Sequence, residues 1–132
     1  MGDNGDIIRG IYEAFGRGDV PAVLGTLDDQ CNWQEADSFA WAEGNPYIGP
    51  NAVLEGIFQR IGAELDNFAA TPACFIDGGE AVAVEGRYTG TVKAIGKPVD
   101  AQFVHVWRLE GGKVVRFQQY TDTKQWSEAF SS

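Results

Sequence analysis

Between residues 98 and 110 the side chains alternate without a break. Val99, Ala101, Phe103, His105, Trp107 and Leu109 share one side of an extended chain, and Asp100, Gln102, Val104, Val106 and Arg108 share the other. Successive strand side chains point to opposite faces, so this run dictates one long strand with a markedly apolar face. Gly111-Gly112 then reads as a hairpin turn into a second alternating stretch, residues 113–122. Residues 73–77 and 80–91 give another such pair, joined at Gly78-Gly79. An amphipathic segment over 124–130 suits a closing helical cap.

The first half has a different period. After Asp6, a candidate N-cap, the residues Ile7, Ile8, Ile11, Tyr12 and Phe15 recur three or four apart as far as Gly16 and Gly18. Asp19 opens a short helix with Pro21 in its first turn and Val20, Val23, Leu24 and Leu27 on one face. A third helix is predicted from Asn51 through Val53, Leu54, Ile57, Phe58, Ile61 and Leu65. Residues 31–49 read as one short strand and an irregular loop. The loop is dense in aromatics (Trp33, Phe39, Trp41, Tyr47), so it must fold back over apolar neighbours. The order ααβαββββ predicts an α+β architecture, a curved antiparallel sheet with helices on one face. A chain of 132 residues suits a single domain, 1–132, with its own core.

Charge narrows the partners. Ten Lys and Arg stand against 19 Asp and Glu, a net charge of −9. Duplex DNA, RNA and anionic membranes are therefore not expected, because phosphate neutralisation needs clustered cations. No stretch reaches the length of a membrane helix. Met1–Asp6 has neither the basic start nor the apolar run of a secretion signal, so a cytoplasmic protein is expected. Cys31 and Cys74 lie too far apart for metal-ligand spacing or a disulfide framework, and two free thiols are expected. With one histidine and no GxSxG, P-loop, GxGxxG or HExxH pattern, neither a metal nor another cofactor is expected.

The same parity sorting finds the chemistry. His105 stands mid-strand on the apolar side between Phe103 and Trp107, as a satisfied core histidine or as a proton shuttle on a pocket floor. In the early strand, Cys31, Trp33 and Glu35 point one way. An ionised carboxylate there is costly to bury without a partner, so Glu35 is either a site acid or a strand-end residue in water. Asp37 has the same parity and is the alternative acid. In the last strand Val115, Phe117, Gln119 and Thr121 share one side, with Val114, Arg116, Gln118, Tyr120 and Asp122 opposite. Asp122 reads as a cap or turn residue.

Taken together, Ile11-Tyr12-Glu13-Ala14-Phe15, Gly18-Asp19, Asp28-Asp29, Trp33 and Tyr47-Ile48-Gly49 resemble the ketosteroid isomerase-related, SnoaL-like branch of the NTF2-like superfamily. So does the ending His105-Val106-Trp107-Arg108-Leu109, Gly112 to Phe117 and Tyr120-Thr121-Asp122-Thr123. The resemblance implies a cone, a strongly bent sheet around the helices that leaves an apolar cavity. Trp33, Phe58, Phe103, Trp107 and Phe117 become lining candidates, Trp41 and Tyr47 mouth candidates. Ile11, Tyr12, Gln119 and Thr121 complete the expected ligand-binding set. Steroid isomerases pair a carboxylate base with a Tyr and a protonated Asp. By resemblance Glu35 takes the base position and His105 the Asp position. Ile11 falls at the Tyr position, with Tyr12 turned about 100° away on the helix.

The function so implied is binding of a small apolar ligand, with cofactor-free proton transfer alpha to a carbonyl of the isomerase or polyketide cyclase type. The alternative is a non-catalytic ligand-binding or association domain. Relatives with this cone commonly dimerise, and a homodimer through the outer face carrying Val104, Val106, Val114 and Tyr120 is expected.

Overall fold

The computed structural model of the chain describes residues 3–131; Met1, Gly2 and Ser132, which the expected domain includes, lie outside the described residues. Helix α1 spans Asn4–Gly16. Its N-cap is Asp3, whose side chain accepts the Asp6 N–H at 3.4 Å, so Asp6 sits in the first turn rather than capping it. A carboxylate in that turn complements the helix dipole. Ile8, Ile11, Tyr12 and Ala14 form the buried face. Helix α2 (Val20–Leu24) is capped as expected by Asp19, which accepts the Ala22 N–H at 3.1 Å. The third helical segment starts at Pro50 rather than Asn51: α3 (Pro50–Val53) passes through a π-helical turn (Leu54–Phe58) into α4 (Gln59–Glu64). Proline opens a helix well because a first-turn N–H has no intrahelical partner to lose.

Among the described residues one six-stranded sheet forms, in the order β2-β1-β6-β5-β4-β3. The strands are β1 (Leu27–Gln34), β2 (Tyr47–Ile48), β3 (Leu65–Asp77), β4 (Ala81–Val92), β5 (Pro98–Glu110) and β6 (Lys113–Thr121). All neighbours pair antiparallel except β1 and β6, which run parallel. β3 begins eight residues earlier than the expected residue 73. It is an edge strand whose pairing shifts at Asp66/Ala69 and again at Pro72/Cys74, so its apolar alternation is broken. Pro72 is tolerated there for the same reason, since an edge strand can spare a donor. β1 likewise begins at Leu27, before the expected strand at residue 31, and β2 lies inside the segment read as loop. Bulges bend the strands that carry them, and the sheet is curved and unclosed.

The inward face of β5 is as its alternation requires: Val99, Ala101, Phe103, His105, Trp107 and Leu109 are all buried. β6 departs from simple parity. A register shift between Arg108 and Leu109 places Val114 opposite Leu109, where it is fully buried. Val114 therefore belongs to the core and not to the outer face, where Val104 and Val106 are half-buried and Tyr120 is 55% exposed. Helix α5 (Thr123–Phe130) follows β6, capped by Asp122, which accepts the Gln125 N–H at 3.2 Å. Cys31 is buried, Cys74 exposed, and both are free thiols. No helix of the described residues is long and apolar enough to cross a membrane.

Candidate functional site

His105 is 6% exposed and has β4 and β6 on either side, opposite Val84 and Gln119. Phe103 stacks on its ring at 4.0 Å between centroids, and Phe117 meets it edge-on at 4.9 Å. Both ring nitrogens are engaged by phenols: Nδ1 by the Tyr12 hydroxyl and Nε2 by the Tyr88 hydroxyl, each at 2.5 Å. Trp107 Nε1 donates to the Tyr12 oxygen and Gln119 Nε2 to the Tyr88 oxygen, both at 3.0 Å. Gln119 Oε1 accepts the Ala36 N–H at 3.1 Å. Burial with no charged partner pushes the imidazole down to about 3, so His105 is neutral. Burial also raises both phenols well above their ordinary value.

Tyr12 reaches this network although it is one position away from the expected inward one. The buried stripe of α1 is wide, taking in Ile8, Ile11, Tyr12 and Ala14, so a turn of about 100° does not bring Tyr12 out of the interior. The imidazole itself is not the group that meets the cavity with a free nitrogen; the two phenols stand between. Tyr88 is the residue that sequence reasoning missed. Its signal is parity, since it falls in step with the buried Val82 and Val84 on β4. Between them Gly86 faces Phe103 across the pair, and any Cβ there would run into the Phe103 ring and the Thr71 carbonyl. The close approach that glycine allows seats the ring on which His105 stacks.

Glu35 follows directly on β1 and is 3% exposed. Asn45 clamps its backbone: Glu35 N–H donates to Asn45 Oδ1 at 2.9 Å, and Asn45 Nδ2 donates to Glu35 O at 2.8 Å. Its carboxyl accepts one bond from Trp33 Nε1, at 3.1 Å. Burial raises it to about 8, against the opposing pull of the Trp33 N–H. Asp37 is exposed, so Glu35 is the acid of the interior.

These groups surround an internal cavity of about 70 Å³. Glu35, His105, Ile11, Tyr12, Trp33, Trp41, Phe58, Trp107, Phe117 and Gln119 all line it, as do Tyr88, Phe39, Phe68 and Trp126, which parity sorting had not singled out. Three expected ligand-binding residues lie elsewhere. Tyr47 donates its hydroxyl to the Trp41 carbonyl at 2.5 Å, and its ring covers Gly56, in space that a side chain would otherwise take. Phe103 sits behind His105. Thr121 donates to the Gln102 carbonyl at 2.7 Å and accepts the Trp126 N–H at 3.3 Å, tying α5 to the sheet.

A curved, unclosed sheet enclosing helices and an aromatic cavity defines an NTF2-like protein. Residues 8–117 match the SnoaL-like domain, and the chain belongs to that family. It is similar over 100% of both chains to an NTF2-like protein from Burkholderia thailandensis E264, at 30% identity and a TM-score of 0.95. An NTF2-like protein of unknown function from Burkholderia pseudomallei K96243 matches at 29% identity, TM-score 0.90 and 100% of both chains. TerC, co-crystallised with polyporic acid, shares the fold at 22% identity and TM-score 0.84, over 96% of this chain and 97% of that one. No curated protein matches the sequence. The fold hosts many reactions, so function has to be argued from the site.

Proposed function

We propose that the cavity binds a small aromatic carbonyl compound and that Glu35 transfers a proton at the carbon alpha to its carbonyl. One observation carries this reading: a buried carboxyl raised to about 8 lines the same apolar cavity as two phenols held by a neutral imidazole. A general acid–base works best with a pKa near the working pH, because both of its protonation states are then populated. The ionised form takes the alpha proton, a phenol O–H at the cavity stabilises the enolate oxygen, and the protonated acid returns the proton to the same or a conjugated carbon. TerC, of the same fold, was co-crystallised with polyporic acid, in keeping with a ligand cavity here.

Volume limits the ligand. About 70 Å³ is less than the roughly 150 Å³ of an engineered cavity that takes benzene, so a one-ring compound enters with movement of the aromatic walls, and a steroid is disfavoured. A second reading, binding without chemistry, draws on the engagement of both His105 nitrogens within the protein.

Deuterium exchange at the alpha carbon of acetophenone and 1-indanone, followed by NMR in D2O, tests the proposal. Wild-type protein accelerates the exchange and Glu35→Gln abolishes it while still unfolding in one cooperative transition. Exchange no faster than in buffer, or equal in both proteins, overturns proton transfer and leaves the binding reading.

A further inference from the structure

We infer that Tyr88 turns its hydroxyl proton into the cavity as the donor to an oxygen of the bound ligand, with His105 as the Nε2–H tautomer behind it. The inference rests on the cavity being the ligand site and identifies what the ligand must carry: a carbonyl, enolate or phenolate oxygen beside an apolar ring.

The argument is a count of protons. Tyr12, His105 and Tyr88 are joined by two hydrogen bonds. A neutral imidazole has one N–H and one lone pair, and each phenol has one O–H, so three protons serve two bonds. The third has no taker inside the trio. Neither flanking side chain receives it, because both are donors there. The Trp107 indole N–H can only donate to Tyr12. The Gln119 amide is oriented by the Ala36 N–H, which needs Oε1, and this leaves Nε2 to donate to Tyr88. One phenol must therefore donate to the imidazole while the other accepts from it and keeps its own O–H free.

Place in the fold decides which. Through Gln119 the Tyr88 oxygen is linked to the Ala36 N–H, next to Glu35, whereas the Tyr12 oxygen is linked to Trp107. The phenol on the acid's side is assigned the free O–H, and Tyr12 donates to Nδ1. The remaining N–H is then at Nε2 and donates to Tyr88, whose oxygen also accepts from Gln119 and whose proton turns away. Tyr88 lines the cavity, and it, not Tyr12, feels the charge of Glu35. A ligand oxygen on Tyr88 would bring its neighbouring carbons toward the carboxyl.

His105 is the only histidine in the chain, so protein labelled with 15N-histidine reports this ring alone. At pH 7 the expected spectrum has a protonated Nε2 and an unprotonated Nδ1; an Nδ1–H tautomer or a doubly protonated ring overturns the assignment. Binding supplies the second arm, with acetophenone and its isostere α-methylstyrene, which has a methylene for the oxygen, as probes. Wild type prefers the ketone by roughly three- to tenfold, the worth of one net hydrogen bond, and Tyr88→Phe, which leaves the buried oxygen without a donor, reverses the preference. Equal affinities in wild type, no ketone binding, or a preference surviving in Tyr88→Phe overturns the proposal. Should Tyr88→Phe fail to fold, the carbonyl 13C shift of acetophenone bound to wild type decides: it lies downfield of its value in cyclohexane if the oxygen accepts a hydrogen bond, and a shift equal to the cyclohexane value refutes the donor. These readouts do not depend on proton transfer by Glu35, which the exchange assay tests by itself.

Discussion

Trp33 donates its indole N–H to the Glu35 carboxyl at 3.1 Å, two residues along the same stretch of chain. The indole also stacks on Phe117 at 3.8 Å, so its position is held from a second side. This single donor opposes the effect of burial on Glu35. Trp33→Phe keeps most of the stack and removes the donor. Glu35 should then titrate above about 8, read from its 13C carboxyl signal, with a stability loss of roughly 1–3 kcal/mol.

Stability should depend on pH through the two buried titratable groups, in opposite directions. Glu35 titrates near 4.5 when unfolded and about 8 when folded, so between those values the unfolded chain has released a proton that the folded one keeps. Its contribution therefore weakens as pH rises across that window. Glu35→Gln removes the effect, and its melting temperature should gain on wild type from pH 5 to pH 8, corresponding to a change on the order of a few kcal/mol. His105 is lowered from 6.5 to about 3, so the unfolded chain binds the extra proton and stability falls as pH drops through that range. A melting difference between Glu35→Gln and wild type that is flat with pH would contradict the buried, raised carboxyl.

Gly86→Ala should destabilise the fold by roughly 1–3 kcal/mol, because the added methyl meets a packed ring and a backbone carbonyl. Its specific mark is on the neighbouring histidine. Displacing Phe103 removes the plate on which His105 stacks, and the 15N signals of His105 should move in this variant but not in a surface control such as Lys124→Ala.

We propose that the chain pairs with a second copy through the outer sheet face, where Val104, Val106 and Tyr120 leave apolar surface in contact with water. Light scattering coupled to size exclusion should give twice the chain mass at micromolar concentration, and Val106→Lys should return a single chain. A wild-type mass of one chain refutes the pairing.

Legibility follows how local each cause is. The inward face of β5 is a property of consecutive residues, so its strand, its face and His105 on that face can all be read directly. Glu35 is legible as a candidate through parity with Trp33, but it lies past the end of β1, where its backbone is held by Asn45, ten residues on. Tyr12 shows the limit of counting helix positions: one residue of offset matters on a narrow stripe and not on a broad one. Tyr88 carries the right parity, yet a tyrosine on a strand is equally at home at the surface. Val114 is misplaced by alternation because a bulge adds a residue that no pattern in β6 marks. β3 hides its true length for the same reason, with two irregularities at an edge.

The parallel pairing of β1 with β6 has a consequence for how the protein comes into being. Tyr12 meets its partners 93 and 95 residues later, and Ala36 meets Gln119 83 residues later. A growing chain holds the acid and the first phenol early, but that phenol gains its partners only with β5, and Ala36 gains Gln119 only with β6. The hydrophobic helices and the aromatic loop must wait through most of synthesis, and contacts of such long range fold slowly. In this protein the site is completed late, so a chain truncated before β6 would have the acid without Phe117, on which Trp33 stacks, and without Gln119.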